Sequence, residues 1–146
     1  MDKRYLSPLE LLSTAMQHAY SADYLLHHMS NDQIKDNGPI DVYFPITSLM
    51  YSSFQLTFKA YCLHELRPIK EHKNLMELVE LNPHLGLSSK EISLLKTLSR
   101  QQAFNKGIDY DLWENQQQLH VFCDQIISLY ERLQKLMPIE LHSDYQ

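Results

Sequence analysis

Residues 111–138 read DLWENQQQLHVFCDQIISLYERLQKLMP, and this stretch decides the fold. Leu119, Phe122, Cys123, Ile126, Leu129, Tyr130, Leu133 and Met137 recur three or four residues apart, the spacing of one face of an α-helix. Asp111 supplies cap chemistry ahead of the stripe, which predicts a helix starting at Asp111–Glu114, and Pro138 closes it. One long amphipathic helix cannot bury its apolar face alone, so the rest of the chain must supply other helices to cover it.

Working back along the chain, Ser88-Ser89-Lys90-Glu91 is a capping box, with Ile92, Leu94, Leu95 and Leu98 behind it and a stop at Asn105-Lys106-Gly107. Leu75, Met76, Leu78 and Val79 form a shorter stripe, broken by Asn82-Pro83 and Gly86. From Pro45 to Leu63 the apolar residues lie on more than one side, and Pro68 ends the pattern. A helix apolar nearly all round belongs in the middle of a bundle or at a dimer interface. At the beginning, Ser7, Pro8 and Glu10 form another capping box, followed by Leu12, Ala15, Met16, Ala19, Ala22, Leu26 and Met29. That helix is expected to fade near Ser30-Asn31, and the stretch from Ser30 to Phe44, with Asp36-Asn37-Gly38-Pro39 inside it, reads as a loop.

The expectation is an all-α, up-and-down helical bundle of about five helices, three long and two short, in one domain over residues 1–146. Its core spans about 7–137, with a loose tail at 138–146. The 146 residues suffice for one core, 44% of them are hydrophobic, and three glycines are too few for a hairpin-rich sheet protein.

The net charge is −5, against bulk attraction to nucleic acid. The charge is uneven: residues 59–106 hold eight basic and five acidic side chains, and residues 107–146 two basic and seven acidic. Cys62 and Cys123 stand far apart on apolar stripes and read as core thiols. Met1-Asp2-Lys3-Arg4 leads into no apolar segment and no run reaches the length of a membrane span, so a cytoplasmic, membrane-free location is expected.

Eight histidines raise the question of a metal, but there is no HExxH, and Asp23 with His27, four apart, make only two ligands. No metal and no cofactor are expected. Three glycines build no phosphate cradle. Arg67-Pro68-Ile69-Lys70-Glu71-His72 is Arg-x4-His. A His beside an Arg can cleave RNA without metal, the His moving the 2′-hydroxyl proton and the Arg stabilising charge on the phosphate. The spacing is short enough to recur by chance.

From about Leu49 to Leu133 the chain resembles the HEPN superfamily of small helical bundles. The resemblance rests on the apolar helix with Lys59-Ala60-Tyr61 inside it and on the His-led segment His72-Lys73-Asn74-Leu75-Met76-Glu77-Leu78. It continues through Leu87-Ser88-Ser89-Lys90-Glu91 and Asn105-Lys106-Gly107-Ile108-Asp109-Tyr110 before the last helix. Catalytic members are metal-independent endoribonucleases with an Arg-x(4–6)-His motif, generally composed across a dimer. Others act in binding or assembly, including as partners of nucleotidyltransferases in toxin–antitoxin pairs. The catalytic motif usually sits on a later helix, where Arg100 has no His within reach and Arg132 to His142 crosses Pro138. The resemblance therefore implies a non-catalytic binding or assembly module, a homodimer with a protein or RNA partner. Arg67 and His72 would be the catalytic pair of the alternative ribonuclease. Lys106 and Tyr110 are the candidate binding residues, and an enclosed pocket lined by them would mark a third reading, a small-ligand or nucleotide-binding bundle.

Overall fold

The computed structural model describes residues 7–28, 43–65, 74–104 and 106–137. Among these residues the fold is an all-α bundle of five α-helices with no strand. They are α1 (Pro8–His27), α2 (Tyr43–His64), α3 (Leu75–Glu80), α4 (Ser89–Phe104) and α5 (Gln116–Lys135), with a 3₁₀ turn at Pro83–Leu85 after α3. The expected tail at 138–146 and most of the expected loop at 30–44 lie outside the described residues.

α2 packs against each of the other four helices. This central place explains its apolar residues on several sides: Met50, Phe54, Phe58, Ala60, Tyr61 and Cys62 are all buried within one chain. α5 lies against α1, α2 and α4, and one hydrophobic cluster runs through all five helices, from Leu11 to Met137. The cluster is stitched by hydroxyl groups. Thr57 Oγ1 donates to Tyr130 Oη (3.2 Å), and Tyr61 Oη donates to the Leu133 carbonyl (3.3 Å). Tyr43 Oη pairs with His120 Nδ1 (3.1 Å). Each link joins α2 to α5, so α2 buries polar atoms without orphaning them. Burial pushes the Tyr43 phenol up to about 12, which keeps it protonated.

Local chemistry sets most boundaries. Ser7 Oγ accepts from Glu10 N while Glu10 accepts from Ser7 N, as the capping box predicts, and Ser88 with Glu91 repeats the arrangement before α4. Three boundaries differ from the sequence expectation. α1 ends at His27, before Ser30. Tyr43 and Phe44 belong to α2 rather than to a loop, because Tyr43 is anchored in the core against α5. α5 begins at Gln116 rather than at Asp111–Glu114, because Asn115 is the residue that caps it, accepting from Gln118 N (2.7 Å). α3 likewise begins at Leu75, where Asn74 and Glu77 form the cap.

Candidate functional site

Arg67 and His72 lie outside the described residues. Lys106 and Tyr110 lie on the α4–α5 connection, and both are exposed, Tyr110 by 61%. Neither lines any of the three clefts described below. What holds their loop is Gln101, a fully buried polar side chain. Its Nε2 donates to the Gly107 carbonyl (2.8 Å), and its Oε1 accepts from Asp109 N (3.0 Å) and Trp113 Nε1 (3.1 Å). Gln101 thus fixes both ends of the segment 107–113. Ile108 and Trp113 are buried under it while Tyr110 stays outside. The sequence carries a signal for Gln101: it continues the three-residue spacing of Leu95 and Leu98 on the buried face of α4, a polar group in an apolar register.

The other candidates for chemistry resolve simply. Cys62 and Cys123 are buried free thiols, and burial pushes the Cys123 thiol up to about 12, away from the reactive thiolate. Asp23 and His27 form an exposed ion pair (2.8 Å). The Asp23 backbone carbonyl, followed by the Asp23 charge, raises the His27 pKa above its ordinary value. Among the described residues no three His, Cys, Asp or Glu side chains come together as a metal site, and no helix is long and apolar enough to cross a membrane.

Three surface clefts lie among the described residues. The first, between α4 and α5, is spanned by the ion pair of Glu91 and Arg132. The second is a groove of about 230 Å³ between α1 and α5, lined by Met16, Tyr20, Asp23, Ile127, Glu131 and Gln134. Tyr20 is 71% exposed and Tyr24, one turn on, is 53% exposed. Tyr24 stacks on the His28 ring at 3.9 Å, which extends an aromatic ladder along the outside of α1. Asp124 acts on His27 from α5, so Asp23, Asp124 and Glu131 together make this seam acidic.

The third cleft is the largest of the three, about 510 Å³, between α2, α3 and α4. Tyr51 comes from α2, Met76 from α3 with Asn74 at its cap, and Lys96, Ser99 and Arg100 from α4. Tyr51 Oη accepts from Leu75 N (3.4 Å), which ties the start of α3 to α2 and sets one wall. Among the described residues two cations and no carboxylate line it. This is where the basic middle third of the sequence becomes a place.

Comparison of the chain with protein-family models, with curated proteins and with solved structures gives no match.

Proposed function

We propose that the protein is a non-catalytic binding module of the HEPN type that docks a partner protein along the seam of α1 and α5. The observation that carries this reading is the exposed ladder Tyr20–Tyr24–His28 beside a groove lined by Asp23 and Glu131, with the charge of Asp124 felt at His27. Tyrosines offer large contact area with little entropy to lose, and they are favoured in interfaces over other surface residues. Carboxylates around them select a partner segment that carries Lys or Arg and repel an acidic one. The HEPN resemblance of the sequence adds a partner class, a nucleotidyltransferase of the toxin–antitoxin kind. The homodimer and RNA expectations rest on that resemblance as well, since the apolar breadth of α2 is used up inside its own bundle.

The test is a heteronuclear NMR titration with an amphipathic helical peptide of Leu and Lys, against its Leu and Glu counterpart, with light scattering of the free protein alongside. Saturable shifts are expected at Tyr20–His28 and Asp124–Gln134 with the Lys peptide only, weakened about tenfold by Tyr20→Ser with Glu131→Lys. Shifts spread over the surface, or equal shifts with both peptides, would remove the reading. A dimer that Tyr20→Ser dissociates would instead make the occupant a second copy of this chain.

A further inference from the structure

We propose that the cleft between α2, α3 and α4 is a binding site for the phosphate group of a small ligand, with Lys96 and Arg100 as its cations and Ser99 and Tyr51 as its hydroxyl donors. The site shares no residue with the α1–α5 groove and does not depend on the docking reading.

Lys96 and Arg100 stand four residues apart on α4, side by side on one face. Like charges at this spacing repel. An acid between them would relieve the repulsion, yet among the described residues neither makes an ion pair and no carboxylate lines the cleft. The arrangement therefore leaves a place for an anion between them. Arg offers a planar fork matched to two phosphate oxygens, and Lys offers a mobile point charge beside it.

Ser99 supplies the independent observation. Its hydroxyl is buried and has no hydrogen-bond partner. A serine inside a helix usually returns its proton to the carbonyl four residues back. Thr97, two residues earlier, shows the corresponding bond, to the Ser93 carbonyl at 3.0 Å. Ser99 does not make it, although it lines the cleft between the two cations in sequence. A buried hydroxyl without a partner is destabilising, and a turn of the Ser99 side chain toward an anion in the cleft would offset that cost. Tyr51 contributes in the same sense: its oxygen receives the Leu75 N–H, so its own proton is free to donate.

The remaining walls say what the phosphate is attached to. Met76, Ala103 and the Tyr51 ring are apolar, and about 510 Å³ is room for a small organic body as well as the anion. Two cations on a chain of net charge −5 do not make a track for a polyanion. The ligand class is thus a phosphomonoester with a compact apolar or flat body.

The experiment titrates phenyl phosphate, inorganic phosphate and benzyl alcohol into the full chain at constant ionic strength, followed by backbone amide shifts. Phenyl phosphate is expected to saturate, with shifts at Tyr51, Asn74–Met76 and Lys96–Ala103. Arg100→Ala and Lys96→Ala, both exposed positions that leave the core untouched, should each weaken binding about tenfold, and Ser99→Ala at least threefold. Equal affinity for inorganic phosphate upholds the site and makes free phosphate its ligand. Shifts that never saturate, that survive Arg100→Ala and Lys96→Ala unchanged, or that benzyl alcohol reproduces would overturn the proposal.

Discussion

The indole Nε1–H of Trp113 donates to the side-chain oxygen of Gln101 across 3.1 Å, inside a pocket where Gln101 is fully buried and Trp113 is 8% exposed. The same oxygen takes Asp109 N, and the Trp113 ring lies 4.7 Å from that of Phe122 on α5. Gln101→Leu keeps the volume and removes every partner, so an indole donor and a backbone donor are left dry. The expected loss is about 2–3 kcal/mol in urea unfolding. Trp113→Phe added to Gln101→Leu removes the orphaned indole donor and should recover about 1 kcal/mol of it. Because Trp113 is the single tryptophan, its fluorescence reports the Gln101→Leu change, and far-UV circular dichroism follows the double variant, which has no tryptophan.

That hub also explains which parts of the fold were readable beforehand. The starts of α1 and α4 are legible because a capping box is complete within four residues: Ser7 with Glu10, and Ser88 with Glu91. The start of α5 is not, because Asp111 and Asn115 are both competent caps four residues apart. The choice between them is made by Gln101, which belongs to the previous helix and holds 107–113 out of helical geometry. The phosphate cleft was legible only as an excess of positive charge in the middle third. Tyr51, Met76 and Arg100 come from three helices, and nothing in their spacing along the chain brings them together.

The Arg132 guanidinium grips Glu91 with two bonds, Nε to Oε2 at 2.6 Å and Nη2 to Oε1 at 2.7 Å, so the last turn of α5 is tied to the cap of α4. Burial alone would raise the Glu91 pKa, but the Ser88 backbone and Arg132 bonds outweigh it and hold the carboxyl below its ordinary value. A depressed folded pKa gives stability that is present above the unfolded value and lost as pH falls through the folded one. Arg132→Ala should therefore cost about 0.5–1 kcal/mol near neutral pH, modest because Arg132 keeps 41% of its surface in solvent. The gap to wild type should close below the usual carboxylate range. Glu91→Gln, which preserves the cap, should behave alike in thermal melts across pH.

Ser53 Oγ lies 2.9 Å from the Ala15 carbonyl and 3.0 Å from that of Leu49, with its one proton between them. This contact requires α1 and α2 to approach closely, and Ala15, Ala19 and Ala22 are the buried residues that permit it. Ala15→Leu should force the helices apart and cost about 2–3 kcal/mol in denaturant unfolding. Ser13→Leu, on the exposed side of α1, should change stability by no more than about 0.5 kcal/mol. Equal effects of the two would mean that the close approach is not what holds α1 to α2.

His27 gives the docking groove a pH dependence whose sign is fixed by geometry. Its Nδ1 faces both the Asp23 backbone carbonyl (2.9 Å) and the Asp23 carboxylate (2.8 Å), and the raised pKa means the imidazolium persists to higher pH than in a free histidine. Below that pKa the imidazolium offsets part of the charge of Asp23, Asp124 and Glu131; above it the seam is more negative. Binding of the Lys-bearing peptide should therefore strengthen as pH rises through the His27 titration. The ring protons of His27 should titrate above the ordinary histidine value of 6.5, and Asp23→Asn should bring the midpoint back toward it. In that variant two carboxylates remain along the seam, so peptide binding should weaken while its pH dependence moves to lower pH with the histidine. A pH dependence that stays in place while the His27 midpoint moves would assign it to a different group.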